Sequence, residues 1–228
     1  MKIALISDLH ANNDYLQAVS LSLKSHNPDF LYCLGDLVDY YDAPDRVIDW
    51  CIAHQAITLK GNHDKFILGE LEPDPANLRF YRLEEQRNVL QSHHYEFLRA
   101  LPDYIEVSHE GFHFYMTHSL PGDCTSYLRD PAQLDRGFLR NYDFYCFGHT
   151  HIPLIQACYG TTLINPGSIG QPRDYTTQPS FAIVDLAQGI TSLHRVAVDV
   201  EGFCRRMAKE GVDEKMRNIL RRDKGYER

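Results

Sequence analysis

Six short apolar runs in this 228-residue chain each end in a residue that can bind a metal or turn the backbone. KIALIS leads into Asp8-Leu9-His10, FLYCL into Gly35-Asp36, and AITLK into Gly61-Asn62-His63-Asp64. FHFYMT leads into His118, DFYCF into Gly148-His149-Thr150-His151, and TTLI into Asn165-Pro166-Gly167-Ser168. Runs of this length and make-up read as buried strands. In open α/β sheets, ligands gather outside the carboxyl ends of the strands. The pattern therefore constrains the fold to one that brings these strand ends to a shared edge.

The segments between the runs fit such a sheet. Leu16, Val19 and Leu23 recur at helical spacing after Asn12-Asn13, and Val47, Ile48, Cys51 and Ile52 do so after Pro44. With strands at residues 3–6, 30–34 and 56–59, this opening is βαβαβ and implies parallel strands with helices on their faces. Residues 66–83 break the pattern with GELEPDPANLRFYR, and a helical stretch runs on to about Leu101. Residues 66–101 are therefore expected to form a small insertion within a single 1–228 domain. Further on, IEVSHEGFHFYMTH predicts a hairpin turning at Glu110-Gly111, followed by strands near 144–147, 162–164, 181–184 and 191–196. Residues 202–222 predict a C-terminal arginine-rich helix, read as a solvated face, with a frayed tail beyond it.

Composition removes several function classes. A net charge of −8 argues against general nucleic-acid binding, which needs a basic surface. No apolar run approaches the roughly 20 residues of a membrane span, and IALI near the start is too short for a signal sequence. A cytoplasmic protein with no membrane partner is expected. Cys33, Cys51, Cys124, Cys146, Cys158 and Cys204 are scattered without a CxxC pair, so they are expected to be reduced and to act as small hydrophobes. An acidic chain that acts on an anionic substrate needs bound cations to invert the local field.

The residues at the strand ends suit that role. Carboxylate and amide oxygens with neutral imidazoles make a mixed oxygen and nitrogen donor set, appropriate to manganese, iron or zinc rather than calcium. Asp8, His10, Asp36, Asn62, His118, His149 and His151 are too many for one tetrahedral ion. They suit two ions sharing a carboxylate. Gly35, Gly61 and Gly148 are expected to let the chain turn beside a ligand.

Asp8-x-His10, Gly35-Asp36, Gly61-Asn62-His63-Asp64, His118 and Gly148-His149-x-His151 resemble, in kind and order, the motifs of the calcineurin-like metallophosphoesterases. The match covers residues 1 to about 170, and GDLVDYYDAP and NPGSIGQPRD resemble a small bacterial and archaeal branch of phosphodiesterase-like members. The resemblance implies an α/β fold, a four-layer αββα sandwich of two mixed sheets flanked by helices. It implies two divalent ions, with manganese expected and iron, zinc, nickel or cobalt as alternatives. Asp8, His10, Asp36 and His151 would hold one ion, and Asp36, Asn62, His118 and His149 the other. A hydroxide between the ions would attack phosphorus in line, His63 would protonate the leaving oxygen, and Asp64 would orient or charge His63. Asn62, His63 and Arg173 are the implied substrate contacts. The chain departs from the branch at His118-Ser119-Leu120-Pro121, where His-Gly-x-Pro is common, and at Asp39-Tyr40-Tyr41, where Gly-Tyr-Gly is frequent.

The expected partner is a small phosphate ester: a monoester, a diester, a dinucleoside polyphosphate or a phosphoprotein. Oligomeric state stays open between monomer and dimer. A non-catalytic scaffold on the same fold, like the retromer subunit that resembles these enzymes, is the alternative; the full ligand set and His63 weigh against it. His26, His54, His93, His94, His109, His113 and His194 are expected to be structural. Phe80 and Tyr81 are expected to pack locally, with stacking on a nucleobase as the alternative.

Overall fold

A computed structural model describes residues 1–222. The frayed tail expected at the C-terminus lies outside the described residues. Strands β1 (Lys2–Ile6), β2 (Phe30–Cys33) and β3 (Ile57–Thr58) pair in parallel, connected by helices α1 (Asn13–His26) and α2 (Pro44–Ala53). The α1 helix begins on an Asn12 side chain that accepts from the Tyr15 amide, and Pro44 opens α2 where no amide donor is needed. After α2 and β3 come four short helices, α3 (Asn62–Leu68), α4 (Leu78–Tyr81), α5 (Leu83–Val89) and α6 (Ser92–Ala100). Ile67, Phe80, Leu90 and Leu98 from these helices join the same apolar cluster as α1 and α2.

The rest of the chain builds a second sheet and then returns to the first. Strands β4 (Tyr104–His109) and β5 (Phe112–Thr117) form the expected hairpin, turning through left-handed Glu110 and Gly111. Helix α7 (Arg136–Leu139) precedes β6 (Phe144–Cys146), β7 (Leu154–Cys158) and β8 (Thr161–Asn165). The order in this sheet is β4-β5-β6-β8-β7, with β5, β6 and β8 parallel. Strands β9 (Ser180–Asp185) and β10 (Ile190–Arg195) then extend the first sheet as β10-β9-β1-β2-β3. Helices α8 (Val200–Lys209) and α9 (Glu214–Leu220) close the chain.

Each sheet thus has a parallel triplet, extended by antiparallel pairing on one side in the first sheet and on both sides in the second. Ile3, Leu5 and Val184 of one sheet meet Phe114, Met116 and Ile164 of the other in the buried layer between them. The helices α1, α2, α8 and α9 cover the outer face of the first sheet. Over the second sheet the outer layer is thin, formed by α7 and the segment around Leu128 and Leu134. The layer order is the αββα order expected, with a slight fourth layer.

Local departures from the expected elements have physical causes. The 202–222 segment is two helices, because Gly211 takes a left-handed φ of 74° and starts a turn before the Asp213 cap. Strand β7 escapes a reading by periodicity because its central residues Ile155, Gln156 and Ala157 are all exposed, leaving no apolar alternation. Cys33, Cys51, Cys146 and Cys204 are buried free thiols, whereas Cys124 and Cys158 are half-buried beside loops and outside the strand interior. Among the described residues no helix is long and apolar enough to cross a membrane.

Two of the strand-end glycines serve space rather than turning. Of the three, Gly35 alone has a left-handed φ, 95°. A Cβ on Gly148 would stand 2.0 Å from Ser7 Oγ, so the β6 end can approach the β1 end only without a side chain. Gly148→Ala is expected to cost about 1–3 kcal/mol through forced separation of the two strand ends. Thermal unfolding checks this, at roughly 2–4 °C per kcal/mol for a chain of this length.

Candidate metal centre

Both parallel triplets point their carboxyl ends at one place. Asp8 and His10 follow β1, Asp36 follows β2, and Asn62 opens α3 after β3. His118 follows β5, and His149 and His151 follow β6. Backbone bonds join the ends: the Asp8 amide donates to Gly35 O (3.0 Å), the His10 amide to Asp36 O (3.0 Å), and the Gly148 amide to His118 O (2.9 Å). The His149 amide crosses between the sheets to the Asp8 carboxylate at 3.1 Å. Asp8, His10, Asp36, His149 and His151 all adopt left-handed φ between 47° and 62°. Such conformations cost non-glycine residues about 1–3 kcal/mol each and concentrate at functional sites.

The structure brings all seven predicted ligands together, and all are buried. Potential donor atoms of Asp8, His10 and His151 lie within 4.8 Å of one another, as do those of Asp36, His118 and His149. His151 Nε2 is 3.3 Å from Asp8 Oδ1, and His10 Nε2 is 3.8 Å from Asp36 Oδ2. On the other side, His118 Nε2 lies 3.2 Å from Asp36 Oδ2 and 3.1 Å from Asn62 Oδ1. Asp36 stands between the two groups.

Main-chain carbonyls aim the imidazoles. His10 Nδ1 donates to Val38 O (3.0 Å), His118 Nδ1 to Leu34 O (2.7 Å), and His151 Nδ1 to Gln171 O (2.7 Å). Each bond places the ring proton on Nδ1 and leaves the Nε2 lone pair facing the cluster. His149 is the reverse: Nε2 donates to Thr125 O (2.9 Å), which frees Nδ1. The result is a convergence of carboxylate, amide and imidazole acceptors in which His118 is the one imidazole whose proton is favoured. His10 Nε2 and His151 Nε2 face each other at 3.2 Å, and within hydrogen-bonding distance buried Asp36 Oδ2 meets only the His118 ring, without well-aligned geometry. Such an arrangement fits a cation and is costly without one.

The electrostatics say the same. Burial holds His10 and His149 down at about 4 and His151 well below the usual imidazole range, so all three are neutral. Burial lifts Asp8 to about 7, against the pull of His118. Burial also opposes charging His118, yet Asp36 and Asp8 outweigh it and raise it to about 9. Positive charge is what the centre lacks, and divalent cations would supply it.

His63 sits beside this centre, but its partner is not the expected one. Its Nδ1 is 2.6 Å from Asp39 Oδ2, and Asp39 is fully buried. Asp64, expected to orient His63, instead accepts the amides of Asp36, Leu37 and Gly61, each at 2.9 Å. The reason is its place at the third residue of α3, where a carboxylate reaches back to the amides preceding the helix. Asp39 reaches the ring through the course of the loop after Asp36, which no local sequence pattern announces.

A cavity of about 280 Å³ opens on the centre, lined by Asn62, His63, His149, His151 and Arg173. The Arg173 guanidinium is held by Gln171 Oε1 (2.6 and 3.0 Å) and the Tyr40 and Tyr127 hydroxyls (3.4 Å). It has no carboxylate partner within 4 Å among the described residues. Tyr127, missed in the sequence, stacks on His149 with centroids 4.3 Å apart. Tyr81 also lines the cavity and meets His63 edge-on at 4.7 Å, whereas Phe80 is buried among the helices. The remaining histidines lie elsewhere: His93 and His94 bond Asp49, His109 bonds Tyr32, and His26 packs against the Phe181 and His194 rings.

Known proteins share this arrangement of chain. The calcineurin-like phosphoesterase superfamily domain matches residues 1–189. An uncharacterised protein of Methanocaldococcus jannaschii is 30% identical over 231 residues, covering 93% of this chain and 94% of its own. A Mycoplasma pneumoniae protein named "Probable metallophosphoesterase" is 27% identical over 188 residues, covering 82% of this chain and 91% of its own. The crystal structure of a metallophosphoesterase from Sphaerobacter thermophilus superposes with a TM-score of 0.80 at 27% identity, covering 97% of this chain and 99% of that one. With the family domain spanning most of the chain and both sheets, the protein belongs to the calcineurin-like phosphoesterase superfamily.

Proposed function

We propose that the chain is a dinuclear-metal hydrolase of phosphate esters. The observation that carries this reading is the buried Asp36 carboxylate between two groups of buried potential ligands, with His63 and Arg173 on the same cavity. Asp8, His10, Asp36 and His151 would hold one divalent ion, and Asp36, Asn62, His118 and His149 the other. The donor set suits manganese, with iron, zinc, nickel and cobalt compatible. When bound, such a pair offsets phosphoryl charge and lowers the pKa of water.

The chain's own groups provide the rest. Arg173 offers a fixed guanidinium to a phosphoryl oxygen, held by neutral groups that leave its charge uncompensated. His63 and Asp39 share a short hydrogen bond. Burial pushes the Asp39 carboxyl well up and the His63 imidazole well down, toward an uncharged pair. In that pair the carboxyl proton bridges to Nδ1 and the second proton sits on Nε2. As Nε2 gives its proton to the leaving oxygen, the bridging proton passes to Nδ1. The pair thereby acts as a general acid without a buried net positive charge.

Metal analysis of the purified protein, paired with monoester and diester model substrates, tests the proposal. A metal-loaded protein that turns over neither class would overturn it. His63→Ala is expected to keep its metals and to lose about 10²–10⁴ in kcat on esters with poor leaving groups. Asp39→Asn should resemble it kinetically with an unchanged metal content. Asp64→Asn should instead lower the melting temperature and the metal content together, because it loosens the Asp36 turn; unaltered stability would contradict that role. Chelation of the loaded protein should lower its melting temperature, and added metal should restore it in a concentration-dependent manner.

A further inference from the structure

Beside the metal-centre cavity lies a larger one of about 610 Å³. The two share Tyr127 and Arg173, and no other residue that lines either. Leu128, Phe147, Leu154 and Leu163 line the larger cavity, and Phe147 and Leu163 are almost fully buried. Its size falls in the roughly 300–1,000 Å³ range of sites for organic ligands. An inorganic phosphate or a methyl ester would leave it empty.

The two cavities differ in charge. The smaller carries His63, Tyr81 and the exposed carboxylates Glu72 and Asp74. The larger carries Arg129, whose guanidinium lies over the Tyr127 ring at 5.1 Å, and Asp130, whose carboxylate accepts the Ala132 amide, so it lacks the acidic excess of the smaller. In an in-line displacement the leaving oxygen must face the acid, here His63. The substituent that stays on phosphorus is then free to point past Tyr127 and Arg173. The acidic lining on the His63 side disfavours a charged phosphate chain as the leaving group.

Resting on the phosphoesterase reading above, we propose that the preferred substrates are phosphodiesters whose retained substituent is a ring-bearing organic group of nucleoside size, seated in the larger cavity. Water adds to phosphorus and the bond from phosphorus to the leaving alcohol oxygen breaks. That oxygen takes the His63 proton, and the product is a monoester of the retained group. Arg173 and Tyr127 form the wall at which phosphate and substituent meet.

The test compares two diesters with one leaving group, thymidine 5′-(p-nitrophenyl phosphate) and methyl p-nitrophenyl phosphate, on the metal-loaded protein. The thymidine ester is expected to have a kcat/KM at least about tenfold higher. Gln156→Trp, a change at an exposed strand residue that lines the larger cavity, should reduce that ratio at least about fivefold. Saturation-transfer NMR with thymidine 5′-phosphate gives a readout apart from turnover: its base protons should be saturated by the wild type and less so by Gln156→Trp. A wild-type ratio near one, or base protons that receive no saturation, would overturn the larger cavity as a subsite while turnover itself upholds the phosphoesterase reading. No turnover of either ester would overturn that reading, and the subsite with it.

Discussion

The Asp64 carboxylate is the constraint on which the arrangement of the centre depends. It is buried and accepts three amides, two from the turn after β2 and one from the turn after β3. In return the Asp36 carboxylate accepts the His63 amide at 2.9 Å. Two adjacent loops are thereby locked through reciprocal bonds between a side chain of each and the backbone of the other. Buried hydrogen bonds of this kind contribute about 1 kcal/mol each, and more while the carboxylate is ionised, although burial raises the Asp64 pKa to about 7. They hold the turn after β2, which contains left-handed Asp36 and whose flanking Leu34 and Val38 carbonyls orient His118 and His10.

Much of this was legible in the sequence because chemistry and strand periodicity coincide. Apolar runs ending in Asp, Asn or His identify both the strands and the residues at their ends, and the structure places all seven proposed ligands in one cluster. Other features were not legible, for three separate reasons. Asp64 is next to His63 in the chain whereas Asp39 is 24 residues away, and only the path of the loop after Asp36 brings Asp39 to the ring. Strand β7 has an exposed centre and carries no periodic signal. Tyr127 comes to His149 through the irregular segment after β5, whose course no local pattern dictates.

The same physics governs the recognition side. Tyr81 reaches the cavity because α4 packs Phe80 into the helical layer and turns the neighbouring ring toward His63. Arg173 reaches it because its amide bonds to His151 O and its guanidinium to Gln171 Oε1, while Gln171 O fixes His151. One short segment after β8 thus positions an imidazole and a cation at once. A change there would disturb both charge and geometry.

The thin outer layer and the crossing bonds make the sandwich look like two halves meeting at an edge, and the order of the chain gives that meeting a time. His10 and His151, whose ring nitrogens face each other, are 141 residues apart in sequence. Neither proposed ligand group can be assembled from one contiguous stretch of chain. An ion therefore finds its full set of donors only after both sheets have formed and docked through their apolar layer. Capture of an ion by the proposed set would then follow the formation of more local units such as the β4–β5 hairpin. A bound ion would secure a structure that the hydrophobic core has already chosen.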